Sequence, residues 1–405
     1  MKPFATHLST TRRRFLKRAA MASLVSPAVG WEGMTTAVSP TRRNADRSVM
    51  IPTLSVPWEQ AQPIGPTAWK LTRDQLGKLP ISDSGFSNFK DSLAAGKSLG
   101  PMTKPLYADF CEVQDKLGRW HLMGIELSPN IPGQPAFYHY VSDRLTEGYE
   151  RLPSVSSNFP LPVRRDLTLN MCSPCVVWED ERTALMFYAH VISGASPAGV
   201  EMIYDASMRV LECTDGRFEK WVPRCDPEFQ EENILFHETY CRDPEIIWDD
   251  KRCIYLMYYA VGVGWTDSEA SCVLRVRSSP NLRTWSEPMT LMTPPLGHRA
   301  VESPFVLHKD GLYYLWISGF DWGRMSLYIS EDPLNFGDPV HNRIMEQSGH
   351  APEIVHSDGK YWMACAGIAS KFGFPWGWHD LIGTYIQPLD WRPATEVELG
   401  KIVRM

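Results

Sequence analysis

The chain has 405 residues, of which 43% are hydrophobic and 22% are charged, as in an ordinary globular protein. This composition excludes a disordered chain and a coiled coil. The formal net charge is −6, from 41 Lys and Arg against 47 Asp and Glu, and no basic patch interrupts the main body. Nucleic acid is therefore excluded as a partner, because phosphate binding needs a basic face. Length alone predicts two or three domains, unless a repeat spreads one core over many units.

The first 30 residues resemble a twin-arginine export signal. Residues 11–17 read TRRRFLK, and a weakly apolar stretch at 19–29 follows that is too short to span a bilayer. Residues 1–30 hold six basic residues and no acid, so their removal after Gly30 changes the formal charge from −6 to −12. The alternative is a basic amphipathic helix that belongs to the fold. We predict a periplasmic or secreted protein without a membrane span.

Residues 31–103 are rich in Pro, Ser, Thr and Gly and carry no recognisable catalytic motif. We predict that this segment packs against a main body formed by residues 104–405. Within that body, Cys172 and Cys175 have the C-x-x-C spacing of redox and zinc sites. No second pair or histidine completes a zinc set, and no thioredoxin-like pattern surrounds them, so we expect ordinary buried thiols on a strand.

The main body contains a unit that recurs five times. Each unit has an acidic or Pro-containing start, an apolar strand, a charged or Gly turn, and an aromatic strand. The starts lie 65, 70, 60 and 48 residues apart, at Asp109, Pro174, Pro244, Pro304 and Pro352. This spacing suits one four-stranded sheet per unit, so we predict an all-β fold, a five-bladed β-propeller. An open array of β-sandwiches is the alternative.

Acidic side chains stand at three of these starts: Asp109, Asp243 and Glu302. The innermost strands of a propeller open onto a central funnel, so we expect the three carboxyl groups to converge there. Glycoside hydrolysis needs a carboxylic acid to protonate the leaving oxygen and a carboxylate to attack or to activate water. For Asp243 the alternative is a turn cap before proline. Glu245 and Glu353 lie further inside their strands, and we expect them to be structural.

These motifs also carry a resemblance. Arg242-Asp243-Pro244, followed 59 residues after its aspartate by Glu302-Ser303-Pro304, resembles the propeller glycosidases of glycoside hydrolase families 32, 43, 68 and 117. The resemblance implies hydrolysis of a furanoside, such as a fructofuranoside or arabinofuranoside, within an oligo- or polysaccharide. It implies that Asp109 is the nucleophile or base, Asp243 the transition-state stabiliser and Glu302 the general acid. Arg242 would bind a sugar hydroxyl or a carboxylate.

The chain departs from the familiar branches of these families at two places. The relatives that act on arabinans and xylans place the middle aspartate in the second blade, where this chain has Ser173. Blade 1 also lacks the Asn-Asp-Pro-Asn-Gly run of the invertases. The resemblance therefore implies a divergent member.

Four further residues complete the predicted substrate site: His298, Arg299, Trp322 and His350. His298 precedes Glu302, and a related branch that acts on anhydro-galactosides uses a histidine as the acid. His350 opens blade 5, where in arabinan-active relatives a histidine lies near a central ion. The alternatives for it are a polar plug and a ligand of a structural metal ion on the propeller axis. Trp322 would stack on a sugar ring or pack between blades.

No organic cofactor is expected for this chemistry. Two other functions stay open at this point. A glycoside phosphorylase would need a basic phosphate site, for which His298 and Arg299 are the candidates. A carbohydrate-binding propeller without catalysis is the alternative from another class.

Overall fold

The computed structural model describes residues 48–64, 69–70, 106–127, 136–156, 167–195, 201–226, 234–262, 272–295, 301–319, 324–367 and 381–405. In these ranges almost all regular structure is β-strand, and the strands form five antiparallel sheets that follow one another along the chain. No helix in these ranges has the length and apolar character that crossing a bilayer requires. The predicted export signal lies outside the described residues.

Short strands precede the first sheet, namely β1 (Met50–Leu54), β2 (Gln62–Pro63) and β3 (Trp69–Lys70). Blade 1 consists of β4 (Leu106–Gln114), β5 (Trp120–Leu127), β6 (Ala136–Ser142), β7 (Glu150–Arg151) and β8 (Val155–Ser156). Blade 2 consists of β9 (Leu167–Trp178), β10 (Ala184–Ala195), β11 (Glu201–Cys213), β12 (Val222–Pro223) and β13 (Ile234–His237). In both blades the first three long strands are hydrogen-bonded in chain order.

Blades 3 and 4 are the most regular, with four strands each in chain order. Blade 3 consists of β14 (Arg242–Asp249), β15 (Ile254–Gly262), β16 (Cys272–Ser279) and β17 (Met289–Met292). Blade 4 consists of β18 (Val301–Lys309), β19 (Leu312–Gly319), β20 (Arg324–Ser330) and β21 (Met345–Ser348). Their second strands are continuous apolar runs, and β19 is buried along its whole length, because neighbouring blades cover both of its faces.

Blade 5 takes its outermost strand from the start of the described chain. Its own strands are β22 (Glu353–Ser357), β23 (Lys360–Gly367) and β24 (Leu381–Pro393), and a short helix α1 (Glu396–Leu399) follows. Strand β1 pairs with β24 from Met50 opposite Pro393 to Leu54 opposite Leu389. The predicted propeller of residues 104–405 therefore omits a strand of the fold. Met50–Leu54 is a short segment that does not show the repeat motif.

The sheets are arranged as a ring. Among the described residues, five clusters of buried apolar side chains each join two neighbouring blades: 1 with 2, 2 with 3, 3 with 4, 4 with 5, and 5 with 1. The last of these brings Tyr107 and Phe110 of blade 1 against Ala364 and Ile386 of blade 5. The molecule is thus a closed five-bladed β-propeller, which confirms the predicted fold and excludes the open array of sandwiches.

Candidate active site

The inner strands of four blades share a backbone feature at or near their starts: a residue with positive φ that is followed by proline. The φ values are 46°, 56°, 45° and 46° at Ser173, Asp243, Ser303 and Ala351. A positive φ is uncommon for residues other than glycine, and a following proline restricts the backbone further. The ladder register shifts at this point in blades 2, 3 and 4. We call this feature the strand-start bulge.

Blade 1 presents Asp109 by a related irregularity. The register between β4 and β5 shifts between Ala108 and Phe110, so Asp109 stands out of the ladder. Gly124 lies opposite on β5, and a Cβ atom there would come within 2.7 Å of both the Asp109 carbonyl oxygen and Phe110 Cβ. The absence of a side chain at Gly124 is therefore what lets the Asp109 bulge form.

These bulges bring side chains from blades 1, 2 and 3 into one cluster. The Ser173 Oγ atom lies 2.5 Å from Asp243 Oδ1 and 3.2 Å from Asp109 Oδ2. The backbone N–H of Ser303, from blade 4, donates a hydrogen bond of 3.0 Å to Asp243 Oδ2. The sequence analysis assigned no role to Ser173. It noted only that some relatives have an aspartate at this position.

Arg242 connects Asp243 to Glu302. Its Nε atom donates to Asp243 Oδ2 at 3.2 Å, and its Nη2 atom forms an ion pair with Glu302 Oε2. The guanidinium group also lies over the ring of Tyr240, 4.5 Å from the ring centroid. The predicted site residues Asp109, Asp243, Glu302 and Arg242 are therefore brought together by the fold.

Glu302 and Asp109, the two outer acids of this cluster, differ in burial. The Glu302 side chain is 8% exposed, whereas that of Asp109 is 20% exposed. Burial raises the pKa of Glu302, and the charges of Asp243 and Asp109 add to this, although Arg242 and then His350 act in the opposite direction. The protonated form is thus favoured at Glu302, while Asp109 is the carboxyl group that solvent reaches more easily.

His350 lies next to Asp109. Its Nε2 atom is 3.2 Å from Asp109 Oδ1, and its carbonyl oxygen accepts a hydrogen bond from the backbone of Ala366 in β23. Burial alone would lower the pKa of His350, but the adjacent Asp109, followed by Glu302 and Asp243, raises it above the ordinary value. The neighbouring acids therefore favour the protonated, positively charged form of His350. Direct contact of His350 with a sugar stays a prediction.

Several sequence predictions cannot be placed. His298, Arg299 and Trp322 lie outside the described residues. In the part of the chain that the structure describes, no group of three or more His, Cys, Asp or Glu side chains is arranged to hold a metal ion. The site residues described, with His350 facing Asp109, do not form a metal centre, and a structural ion on the axis stays a prediction.

A second set of carboxyl groups follows the bulges. Cys175 Sγ on β9 of blade 2 lies 3.7 Å from Glu245 Oε2 on β14 of blade 3. Burial raises the pKa of Glu245 to about 8, and burial together with Glu245 raises that of Glu353. Glu112 on β4 is also buried, with its pKa raised to about 8, and accepts a hydrogen bond of 2.7 Å from the hydroxyl group of Tyr149. Sequence reasoning missed Glu112, because nothing in its pattern marks a buried acid.

The two cysteines of the C-x-x-C pair are not joined by a disulfide. Cys172 is half-buried and Cys175 is buried, and both lie on β9 on either side of the strand-start bulge. No disulfide joins the cysteines of the described residues, and two of these cysteines, Cys225 and Cys253, are exposed. The pair belongs to the repeat that shapes the inner strands, which fits the expectation of ordinary thiols on a strand.

Comparison with solved structures finds the same architecture. A thermostable family-43 glycoside hydrolase has a TM-score of 0.51 at 14% identity, covering 72% of this chain and 95% of its own. The GH43_1 enzyme from Xanthomonas citri in complex with xylotriose gives 0.49 at 14% identity, covering 78% and 96%. The GH32 β-fructofuranosidase BmSUC1 of Bombyx mori gives 0.48 at 14%, covering 76% and 68%. No protein-family model and no curated protein matches the chain. At such identity the likeness establishes the fold.

Proposed function

We propose that this protein hydrolyses a glycosidic bond, with Glu302 as general acid, Asp109 as base or nucleophile and Asp243 as stabiliser. The observation that carries the proposal is the convergence of these three carboxyl groups, from blades 4, 1 and 3, in one hydrogen-bonded cluster. Two carboxyl groups in different environments are what glycoside hydrolysis requires.

Glu302 suits the role of the acid. Its burial raises its pKa, which favours the protonated form, and a protonated carboxyl group can donate to the departing glycosidic oxygen. The ion pair with Arg242 fixes the Oε2 atom, which leaves the other carboxyl oxygen to face a substrate. Once the proton has been given away, Arg242 also stabilises the resulting carboxylate. General acid catalysis of this kind contributes about 10²- to 10⁴-fold to the rate.

Asp109 suits the opposite role. It is the more exposed of the two outer acids, and His350 beside it favours the ionised form. As a base it removes a proton from water, whose oxygen attacks the anomeric carbon; as a nucleophile it attacks that carbon directly.

Asp243 accepts hydrogen bonds from three donors. Ser173 Oγ, the Ser303 backbone N–H and Arg242 Nε lie 2.5, 3.0 and 3.2 Å from its oxygens. Hydrogen bonds to the charged form stabilise it. A fixed negative charge beside the reacting sugar stabilises the positive charge that develops in an oxocarbenium-like transition state.

The Arg242-Asp243-Pro244 motif supports a furanoside as the substrate, because the resemblance on which it rests is to fructan-active enzymes. The test is turnover of a panel of fructofuranosides and arabinofuranosides by the wild type and by Glu302→Gln, with and without inorganic phosphate. Glu287→Gln, at an exposed position, is the matched control. We expect phosphate-independent turnover that Glu302→Gln abolishes and Glu287→Gln retains.

Three results would overturn the proposal. Turnover that requires phosphate would make the protein a phosphorylase. Saturable sugar binding without turnover would make it a carbohydrate-binding propeller. Unchanged turnover in Glu302→Gln would remove the proposed acid.

We further propose that residues 1–30 direct export through the twin-arginine route. The support is the Arg12-Arg13 pair within the TRRRFLK run. Fused to a reporter, the segment is expected to deliver it to the periplasm, and the double variant Arg12→Lys, Arg13→Lys is expected to block delivery. Equal delivery by both fusions would contradict this.

A further inference from the structure

Ser173 touches both aspartates of the cluster with one hydroxyl group. Its Oγ atom lies 2.5 Å from Asp243 Oδ1 and 3.2 Å from Asp109 Oδ2, and the residue is buried. A hydroxyl group has one hydrogen and two lone pairs. The shorter distance, which is typical of an O–H donor on a carboxylate, places that hydrogen towards Asp243. Asp109 Oδ2 is the second acceptor within hydrogen-bond distance of the same hydroxyl group.

This arrangement matches the charges that the two aspartates need during hydrolysis. Asp243 accepts the hydroxyl hydrogen over the shorter of the two contacts. When Asp109 removes a proton from water, the attacking oxygen forms its bond to the anomeric carbon, and the leaving oxygen takes the proton of Glu302. The newly protonated Asp109 then has the Ser173 Oγ lone pair as a hydrogen-bond acceptor. One side chain thus orients the base and the stabiliser relative to each other.

The equivalent positions in other blades show that the backbone does not need this hydroxyl. Ser303 has the same positive φ and the same following proline, yet among the described residues its buried Oγ has no hydrogen-bond partner. Ala351 adopts the same conformation, with φ 46°, and has no hydroxyl at all. The positive φ therefore forms with alanine, and with a serine whose hydroxyl makes no hydrogen bond among the described residues. Of the three residues Ser173, Ser303 and Ala351, only Ser173 has a hydroxyl group that contacts acids of the cluster in the described structure.

We propose that Ser173 is a positioning residue of the hydrolytic site, whose hydroxyl group holds the carboxyl groups of Asp109 and Asp243 in a fixed mutual orientation. The inference rests on the proposed function. It goes beyond it by assigning a specific task to a side chain that neither the sequence motifs nor the acid–base roles include.

Ser303→Ala is a matched control for Ser173→Ala. Both substitutions delete one hydroxyl from the same backbone conformation, and the backbone N–H of Ser303 that serves Asp243 is kept. Hydrogen bonds to charged groups justify an expected loss of about 10- to 100-fold in kcat for Ser173→Ala. We expect KM and the thermal midpoint to stay close to wild type, because the substrate contacts and the bulge remain. Ser303→Ala should lose less kcat than Ser173→Ala, because among the described residues its Oγ contacts neither aspartate.

A second variant separates the hydroxyl from backbone strain. Ser173→Gly removes the hydroxyl and also relieves the positive φ, since glycine adopts that conformation freely. It should lose kcat as Ser173→Ala does. Recovery of activity in Ser173→Gly, or equal losses in Ser173→Ala and Ser303→Ala, would overturn the assignment.

Failure of the proposed function would be recognised separately, as a wild type that turns over no glycoside. In that case the crystal structure of Ser173→Ala still tests the positioning role. Reorientation of the Asp109 and Asp243 carboxyl groups relative to wild type would support it, and unchanged orientations would overturn it.

Discussion

At the scale of single residues, chemically similar groups differ because of what surrounds them. Glu302 is buried against Arg242, whereas Asp109 is partly exposed and lies beside His350. Identical positions also diverge, since Ser173 contacts two acids and the hydroxyl of Ser303 contacts none in the described structure. The acids themselves could be predicted, because a charged residue at the start of an apolar strand needs a partner or a function. Partners such as Ser173 of Asp243 and His350 of Asp109 could not, because they lie on other blades and far away in sequence.

Arg242 should control the ionisation of the proposed acid. Its charge lowers the pKa of Glu302, so in Arg242→Gln that pKa should rise because a close opposite charge is lost. The alkaline limb of the pH profile of kcat/KM should therefore move to higher pH. Arg144→Gln, at a side chain that is 72% exposed, is the control. An alkaline limb that stays in place or moves to lower pH would contradict the role of Arg242.

At the scale of elements, the inner strands are as important for their irregularities as for their pairing. The strand-start bulges could be located from the recurring prolines, because proline interrupts a ladder. Their positive φ values and the matching bulge at Asp109 could not, because both depend on the strand opposite. The edge strand β1 also escaped prediction, since five residues without the repeat pattern look like part of a linker. Its contacts, however, join it firmly to blades 4 and 5.

Gly124 should be required for the presentation of Asp109. In Gly124→Ala the new Cβ would collide with the Asp109 carbonyl oxygen and with Phe110, so the bulge must shift. We expect a large loss of kcat and a decrease of about 1–3 kcal/mol in the free energy of unfolding, as for other overpacked positions. Gly400→Ala is the control, because a Cβ there meets its nearest atoms at 3.5 Å. Kinetics and stability of Gly124→Ala equal to those of Gly400→Ala would disprove the requirement.

The pairing of β1 should contribute measurably to stability. Ile51 is fully buried in the cluster between blades 4 and 5, and the Tyr314 hydroxyl group donates to the neighbouring Met50 carbonyl oxygen at 3.0 Å. Ile51→Ala should lower the free energy of unfolding by about 2–5 kcal/mol, measured by chemical denaturation. Val340→Ala, at a residue that is 51% exposed, should change it little. A loss at Ile51 no larger than that at Val340 would contradict the role of β1.

At the scale of the whole molecule, repetition explains both the length and the aromatic content. Five blades bury their apolar residues against one another, so the described residues between 48 and 405 form one propeller. The fold could be predicted because the repeat is visible in the sequence. The buried acids near the inner strands could not, because their burial results from closure of the ring. Three of them, Glu112, Glu245 and Glu353, have raised pKa values.

These acids should make the propeller less stable as the pH rises. Burial raises the pKa of Glu112 to about 8, so the folded chain keeps a proton there that the unfolded chain releases above its ordinary pKa near 4.3. Between these values the free energy of unfolding falls with pH, by about 1.4 kcal/mol per unit for one such group. His139 and His190, whose pKa values burial lowers, act in the opposite direction only below about 6.5.

The interval from pH 7 to pH 8 is therefore the one to measure, by denaturant unfolding. The wild type should lose stability across it, and Glu112→Gln should lose less. Glu396→Gln, at an exposed position of α1, should follow the wild type. Stability that rises across this interval, or an unchanged slope in Glu112→Gln, would show that Glu112 is already ionised in the folded protein.

The central claim is that Glu302 protonates the departing oxygen in a three-carboxylate site. The most direct measurement is kcat/KM of Glu302→Gln on two furanosides that differ only in the leaving group, one an alkoxide and one a dinitrophenolate. Dinitrophenolate departs without a proton, so we predict a loss of about 10²- to 10⁴-fold on the alkyl furanoside and a much smaller loss on the dinitrophenyl one. Equal losses on both substrates, or no loss on the alkyl furanoside, would contradict the assignment.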